Sequence, residues 1–469
     1  MQHNVSWCSM SANDEHALPG PHPLLRVIIL IVALLPVIAV VQVVSTSGLN
    51  IPFYDQWDTS LDIAVATADG SLSFDLLTRQ HGDHRIFFTN LTTALVTAFS
   101  NWDLRVERLY LLLLVALSAA LLLMLLHSEV GAAAWWALIP ILALLFAVRG
   151  RQTFLVSFQT AFVYPMLFAI LCLSILQRMR VGWRTLMLMA LCAFCATFSL
   201  GSGFVIWLAV LPAMWLRGYR HVRHFSIWLL VAIMSTILYY LGFDIVRNQS
   251  ALAVFLQRPL ALLSYMMVYL SGVFVVESPE GVPLAIAFGI IGCLLLGLNL
   301  ALLLARLRLV KTQSIAVWIG LAAFALGVAG VTALGRLGAF LGESPAQPMS
   351  ERYIIHASLF WIAIVALGVH NLRLTPQPGR LRNYGRLLRI FNVVALVVLS
   401  VFYTDAAVRT TAAEPFPPLS AEVCYRAYVE AGGSTDCFWQ FYPPMFPQVP
   451  ERIALYEQYR FAGASSSHE

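Results

Sequence analysis

An all-α protein that crosses a membrane many times is what this sequence predicts, and three observations carry that reading. Hydrophobic residues make up 59% of the chain and charged residues only 11%, where soluble domains carry about a quarter charged. Mean hydropathy is +0.78. Uncharged apolar stretches close to the roughly 20 residues needed to cross a bilayer recur along the chain. A large soluble core is excluded, because its helices would need polar faces and these are missing.

Residues 1–24 read as a polar, cytoplasmic N-terminal tail carrying Asp14 and Glu15. The tail lacks the basic start and small-residue cleavage pattern of a removed signal peptide, so LLRVIILIVALLPVIAVVQVV is expected to stay as the first span. Candidate spans are 25–45, 106–126, 132–148, 158–177, 185–200, 203–216, 225–243, 283–304, 314–334, 353–371 and 389–404, about eleven in all. The formal charge of +5 matters less than where the arginines sit. Lys and Arg accumulate in cytoplasmic loops. Four runs are basic: QRMRVGWR (177–184), RGYRHVRH (217–224), RLRLVK (306–311) and LRLTPQPGRLRNYGRLLR (372–389). With all four inside, 185–216 crosses twice and turns at Gly201-Ser202-Gly203. The apolar stretch 258–276 is then a re-entrant or interfacial helix rather than an ordinary span. The bundle covers 25–404, and its outer segments are 46–105, 244–282, 335–352 and a C-terminal tail, 405–469. The expected location is the plasma (inner) membrane, with the working face outward or periplasmic and membrane lipid as a partner.

The first outer loop carries the most chemistry. PFYDQWDTSLDIA (52–64) opens a predicted helix over 55–68, which places Asp55, Asp58 and Asp62 on one face. Tyr54, Trp57 and Pro52 surround Asp55 with aromatic and rigid groups, a lining suited to a sugar or lipid headgroup. A merely solvated acidic face is the competing account of the three carboxylates. Asp69-Gly70 breaks the chain, and a second helical piece is expected near 72–79. Next comes Gln80-His81-Gly82-Asp83-His84-Arg85, six residues holding two imidazoles, a carboxylate and a guanidinium. A polar turn capping the following helix is the plain alternative there. His81, Asp83 and Asp55 are the ligands available to a divalent metal, but no zinc-type spacing is present, so no metal site is assigned. The stretch after it is apolar enough to lie on the membrane surface.

Four arginines lie at the outer ends of spans, against the prevailing trend: Arg149 and Arg151 in AVRGRQTF, Arg336 in TALGRLGAF, and Arg352 before Tyr353 in SERYIIHAS. A guanidinium grips a phosphate bidentately, and headgroup snorkelling is the other reason for such a position. Arg247 and Arg258 are weaker candidates of the same kind. Cys424 and Cys437 bracket a short polar loop in the outer tail and could pair as a disulfide. Cys172, Cys192, Cys195 and Cys293 lie in apolar runs and read as packing residues. Asn4, Asn90 and Asn248 occupy short N-x-S/T sequons. No phosphate-binding loop, dinucleotide turn or GxSxG nucleophile motif occurs, so a nucleotide-driven pump is not indicated, and nothing points to nucleic acid.

In order and spacing, the layout resembles the GT-C superfamily of membrane glycosyltransferases, such as protein mannosyltransferases and lipid A aminoarabinose transferases. The matching positions are Pro52 with Asp55-Gln56, then Asp69-Gly70, then GDHRIFF at 82–88, then Arg352-Tyr353. Gln56 stands where the family usually has a second acid, and the prolines of the family's K-P-P-L stretch are absent. The resemblance implies a helical bundle with outer-loop helices lying on the membrane. It also implies inverting transfer of a sugar from a polyprenyl-phosphate donor to a hydroxyl of a glycan, lipid or protein acceptor. Asp55 would be the general base, with Asp58 the second choice or an orienting partner. Arg352 with Arg149 or Arg336 would hold the donor phosphate, beside Tyr353. Tyr54, Trp57, His81, Asp83, His84 and Arg85 would line the substrate site, and 258–276 would help to form a prenyl groove. The competing class is a flippase or secondary transporter of a lipid-linked saccharide. That class predicts ionisable groups near mid-membrane, where this sequence places almost none.

Overall fold

The computed structural model describes residues 20–47, 50–244, 251–305, 312–339, 344–373, 380–413, 419–431, 437–438, 449–459 and 461–462. Most of the N-terminal tail lies outside these residues, as do Asn4, Arg247, Asn248 and the basic run 306–311. The first helix, α1 (Pro23–Ser47), is 25 residues long, about 37 Å at 1.5 Å per residue. Most of its side chains face outward, as expected of a helix whose neighbours are lipid tails. A loop region follows, built from α2 (Thr59–Ala68), α3 (Phe74–Thr78), the two-residue strands β1 (Gln80–His81) and β2 (His84–Arg85), and α4 (Phe87–Ser100). The strands pair antiparallel across Gly82-Asp83, where Gly82 takes φ 51°, a conformation that favours glycine.

The bundle proper continues with α5 (Leu104–Val130), α6 (Trp135–Leu145), the short α7 (Arg151–Leu155), α8 (Thr160–Arg178), α9 (Trp183–Thr197), α10 (Ile206–Ala209), α11 (Leu211–Leu216) and α12 (Val222–Tyr240). Then come α13 (Ala251–Gln257), α14 (Pro259–Ser271), α15 (Val282–Ala305), α16 (Thr312–Ala339), α17 (Ile354–Arg373) and α18 (Arg380–Ala412). Among the described residues, eight helical stretches are long and apolar enough to cross a membrane, and 183–197, 201–216 and 259–271 are shorter apolar helices. The protein is therefore an all-α polytopic membrane protein; the expected spans overlap helices, with 203–216 divided between the short α10 and α11.

Small residues set the close packing. At Gly203 an added Cβ would collide with the Ala196 carbonyl, so the predicted turn between α9 and α10 needs glycine there. Gly289 on α15 likewise lets the Met267 backbone of α14 approach, the small-residue packing that apolar solvent favours between helices. With 13 residues, α14 is about 20 Å long. It is docked on its neighbours through buried Tyr265, Tyr269 and Leu270.

Outside the bundle, the first loop and the C-terminal helices α19 (Leu419–Ala431) and α20 (Val449–Gln458) share a second core. Trp57 packs on Tyr456 with ring centres 5.5 Å apart, and Trp102 packs on Phe461 at 5.3 Å. Burying each such ring stabilises by about 1.5–3 kcal/mol. Cys424 and Cys437 are joined as a disulfide, with Cα atoms 5.9 Å apart. The tail thus sits on the first loop. In α4, Asn90 is buried and donates to the Leu77 carbonyl at 2.9 Å, so this sequon is structural. That helix buries its threonine face and exposes Leu95 and Phe99, one turn apart on an apolar stripe.

Candidate active site

The site begins with a strained turn. Phe53 arrives extended, and Tyr54 takes φ 48°. A bulky side chain in that left-handed region costs about 1–2 kcal/mol. Buried Gln56 holds the turn closed. Its Oε1 accepts from the Phe53 N–H at 3.1 Å, and its Nε2 donates to Ser157 Oγ at 2.7 Å. Ser157 Oγ in turn donates to buried Glu107 at 2.5 Å. A polar chain from α5, through the segment before α8, therefore fixes the residue next to Asp55.

Asp55 is turned toward the hairpin. Its Oδ2 lies 3.8 Å from His81 Nε2, and His81 Nδ1 lies 2.7 Å from Thr59 Oγ1. The His81 ring also meets Phe158 edge-on at 5.2 Å. Burial is the largest influence on the Asp55 carboxyl and disfavours its charged form. The His81 hydrogen bond and the charges of His81, Arg352 and Arg336 outweigh it, so the pKa falls below the ordinary aspartate value. The side chain nevertheless keeps 46% of its surface exposed.

Arg352 comes from the far side of the chain, in the turn Glu351–Tyr353 that leads into α17. Its guanidinium sits 5.1 Å above the Tyr353 ring, and its buried Nε has no hydrogen-bond partner among the described residues. Tyr353 is fixed by Gln347, which donates to its hydroxyl at 3.0 Å, and by the Tyr269 ring at 5.1 Å. The charge of Arg336, in the last turn of α16, also acts on Asp55. The exposed Tyr54 hydroxyl also feels Arg352: burial raises its pKa and the guanidinium partly offsets the rise. The charges of Arg336 and Arg352 thus reach Asp55 from segments about 280 to 300 residues away in sequence.

Other residues singled out in the sequence lie elsewhere. The helix expected over 55–68 is split, because the Gln56–Ser157 anchor pulls 54–56 into its own turn and α2 starts at Thr59. Asp58 and Asp62 therefore turn from Asp55 to Arg452 of α20: Asp58 at 3.4 Å, and Asp62 more closely, with Arg79 also 2.7 Å from Asp62. Trp57 is 2% exposed, inside the core shared with the tail, and offers no face to a ligand. Arg85 clamps the hairpin to the end of α12, donating to the carbonyls of Tyr239, Thr78 and Leu241 at 2.7, 2.6 and 2.5 Å. His84 packs on Gly201, where an added Cβ would lie 2.8 Å from its Nδ1. Asp83 occupies the hairpin turn. Arg149 is buried and donates to the carbonyls of Val275 and Met349 at 3.3 and 2.8 Å, with Glu351 at 3.6 Å. It ties together three loops at this end.

Sequence reasoning missed Thr59, Ser157 and Glu107. No local spacing marks them, since each acts through a partner distant in sequence. It also missed Glu277, whose carboxyl burial pushes up in pKa, with Arg149 and Arg352 pulling the other way and Glu351 adding to the rise. Among the described residues, no three His, Cys, Asp or Glu side chains come together in a way that would hold a metal ion.

No protein-family model and no curated protein matches the chain. Among solved structures, the chain is similar to the crystal structure of ArnT from Cupriavidus metallidurans bound to undecaprenyl phosphate. The identity is 15% and the TM-score 0.42, over 95% of this chain and 76% of that one. At those values the two share no more than a distant likeness.

Proposed function

We propose that this protein is an inverting glycosyltransferase that moves a sugar from a polyprenyl-phosphate donor to an acceptor hydroxyl at the outer face of the membrane. The observation that carries the reading is a part-exposed Asp55 carboxylate, held beside His81 and acted on by the charges of Arg352 and Arg336, at the end of an apolar bundle. A carboxylate beside two guanidinium groups suits a reaction that takes one proton and releases one phosphate. The acceptor oxygen attacks the anomeric carbon, its proton passes to Asp55, and the bond to the phosphate oxygen breaks with its electron pair. Arg352 and Arg336 then balance the charge that grows on the leaving phosphate. The lowered pKa makes Asp55 a weak base but keeps it ionised. That is sufficient where the leaving group is good and the proton moves late. His81, held by Thr59, fixes the carboxylate's direction. Arg149 is reserved by its backbone contacts for support, so Arg336 is the second phosphate partner in this reading.

The test is turnover of a polyprenyl-phosphate hexose by the purified protein, comparing wild type with Asp55→Asn. Loss of sugar transfer with donor binding retained supports the assignment. Unchanged turnover in Asp55→Asn removes Asp55 as the base, and lack of any donor binding by wild type removes the donor class.

A further inference from the structure

At the end of the bundle away from Asp55, two loops are stapled together. The separation follows from α8, whose start adjoins Phe158 and His81 and whose 19 residues run about 28 Å to Arg178. Tyr219 is fully buried, and its hydroxyl lies 3.3 Å from both the N–H and the carbonyl of Gly182, accepting from one and donating to the other. Arg217 donates to the carbonyls of Leu176 and Gln177 at 3.0 and 2.8 Å and to Gln313 of α16 at 3.2 Å. Those two side chains are used internally. The remaining cations fall in two groups on the paired loops, Arg178, Arg180 and Arg184 on one and Arg220 and Arg223 on the other, and all five are exposed. No Asp or Glu occurs between Glu129 and Asp244, so neither loop carries an acid to neutralise them. Trp183 and Trp215 flank the patch, each 55% exposed, as amphipathic rings do at headgroup level. Beyond them, Leu191 of α9 and Leu229 and Ile233 of α12 present apolar surface.

We propose that this stapled pair of loops is a binding site for a phospholipid that carries two phosphates, of the cardiolipin class. The bias of Arg toward one side of a membrane explains the sign of the patch. It does not explain two Arg groups locked at a fixed separation by Tyr219 and Arg217, flanked by exposed tryptophans and apolar helix surface. Two phosphates linked through one short bridge match two cationic groups, and the acyl chains follow the surfaces of α9 and α12. A guanidinium fork receives each phosphate bidentately.

The test uses the full chain in detergent, with native mass spectrometry and thermal shift as readouts. Cardiolipin, phosphatidylglycerol, phosphatidylcholine and inorganic pyrophosphate are titrated separately. Wild type is expected to hold cardiolipin at least tenfold more tightly than phosphatidylglycerol and to show no saturable site for phosphatidylcholine. Each arginine near a lipid surface contributes about fivefold, so Arg180→Gln with Arg220→Gln is expected to weaken cardiolipin about 25-fold. Arg409→Gln on α18, outside the patch, leaves it unchanged. Equal retention of cardiolipin and phosphatidylcholine by wild type overturns the proposal without any variant being needed. So does full competition by pyrophosphate, which would make this a free-anion site, or an unaltered affinity in the folded double variant.

Discussion

Two polar centres lie at opposite ends of the bundle, and they are built on opposite plans. At one end Asp55 keeps 46% of its side chain exposed, beside a strained Tyr54 and an Arg352 whose Nε lacks a hydrogen-bond partner among the described residues. At the other, Glu129 meets His370 at 3.1 Å and the Trp318 indole N–H at 2.7 Å, with Glu129 and His370 only 3% and 6% exposed. The second centre joins α5, α16 and α17 and is closed. Its donors and acceptor face one another, so it serves to align helices. The first is partly open to solvent, and the Arg352 Nε is left without a hydrogen-bond partner among the described residues. A buried ionisable group in a membrane protein is a functional candidate by default, yet here exposure and unmet capacity, not burial, separate the proposed site from a fastener.

That contrast predicts which measurement each centre moves. Asp55→Asn should lower sugar transfer about 10²–10⁴-fold, the usual contribution of a positioned acid or base, with the melting temperature unchanged. Arg352→Ala should lower it about 10²–10³-fold through lost charge stabilisation. Arg352→Lys should recover only part of this, because an ammonium lacks the guanidinium's fork. Glu129→Ala should do the reverse. Removing one partner of a buried pair costs about 3–5 kcal/mol, so the melting temperature should drop while any surviving folded protein transfers sugar at a near-normal rate. Should Glu129→Gln fold normally and abolish turnover, the distinction between the two centres collapses and a proton-coupled reading gains ground.

The pH profile sharpens the same point. Asp55 titrates below the ordinary aspartate value because His81, Arg352 and Arg336 favour its charged form over the opposing effect of burial. Its acid limb should therefore lie below about pH 4, with rate lost as pH falls and the carboxylate takes a proton. His81→Ala removes a hydrogen bond and a charge that favour ionisation. The limb should then move to higher pH, with the plateau rate less affected than in Asp55→Asn. An unmoved limb would separate His81 from the base.

How much of this was legible in the sequence follows from how local each signal is. Apolar runs of span length betray helices regardless of partners, so the bundle could be read, and Gly201-Ser202-Gly203 marked its tight turn. Asp55 and Arg352 stood out because each violates its local setting, an acid among aromatics and an arginine on the wrong side. Trp57 is hard to read for the same reason: an aromatic beside an acid suggests a sugar platform, but its neighbours in space are Tyr425 and Tyr456, roughly 370 and 400 residues away. The spacing of Asp55, Asp58 and Asp62 suggested one helical face, and only the Gln56–Ser157 bond, between residues 101 apart, turns the first of them away. Neither contact leaves a trace in sequence order.

The smallest effect tests that division within the acidic cluster itself. Arg452 of α20 lies 3.4 Å from Asp58 and also pairs with Asp62, and the three side chains are 18%, 33% and 23% exposed. Pairs with that much solvent contribute about 0.2–1 kcal/mol. Arg452→Ala should therefore lower the melting temperature only slightly and loosen α20 from the first loop, measured as faster amide exchange across 449–459. Because Trp57 and Tyr456 still hold the two segments by apolar contact, the loop should keep its place and turnover should change less than about threefold, the range of a fraction of a kcal/mol. If Arg452→Ala instead cuts turnover as deeply as Asp55→Asn, then Asp58 and Asp62 belong to the reacting site, and the tail's clasp is part of the chemistry rather than of the scaffold.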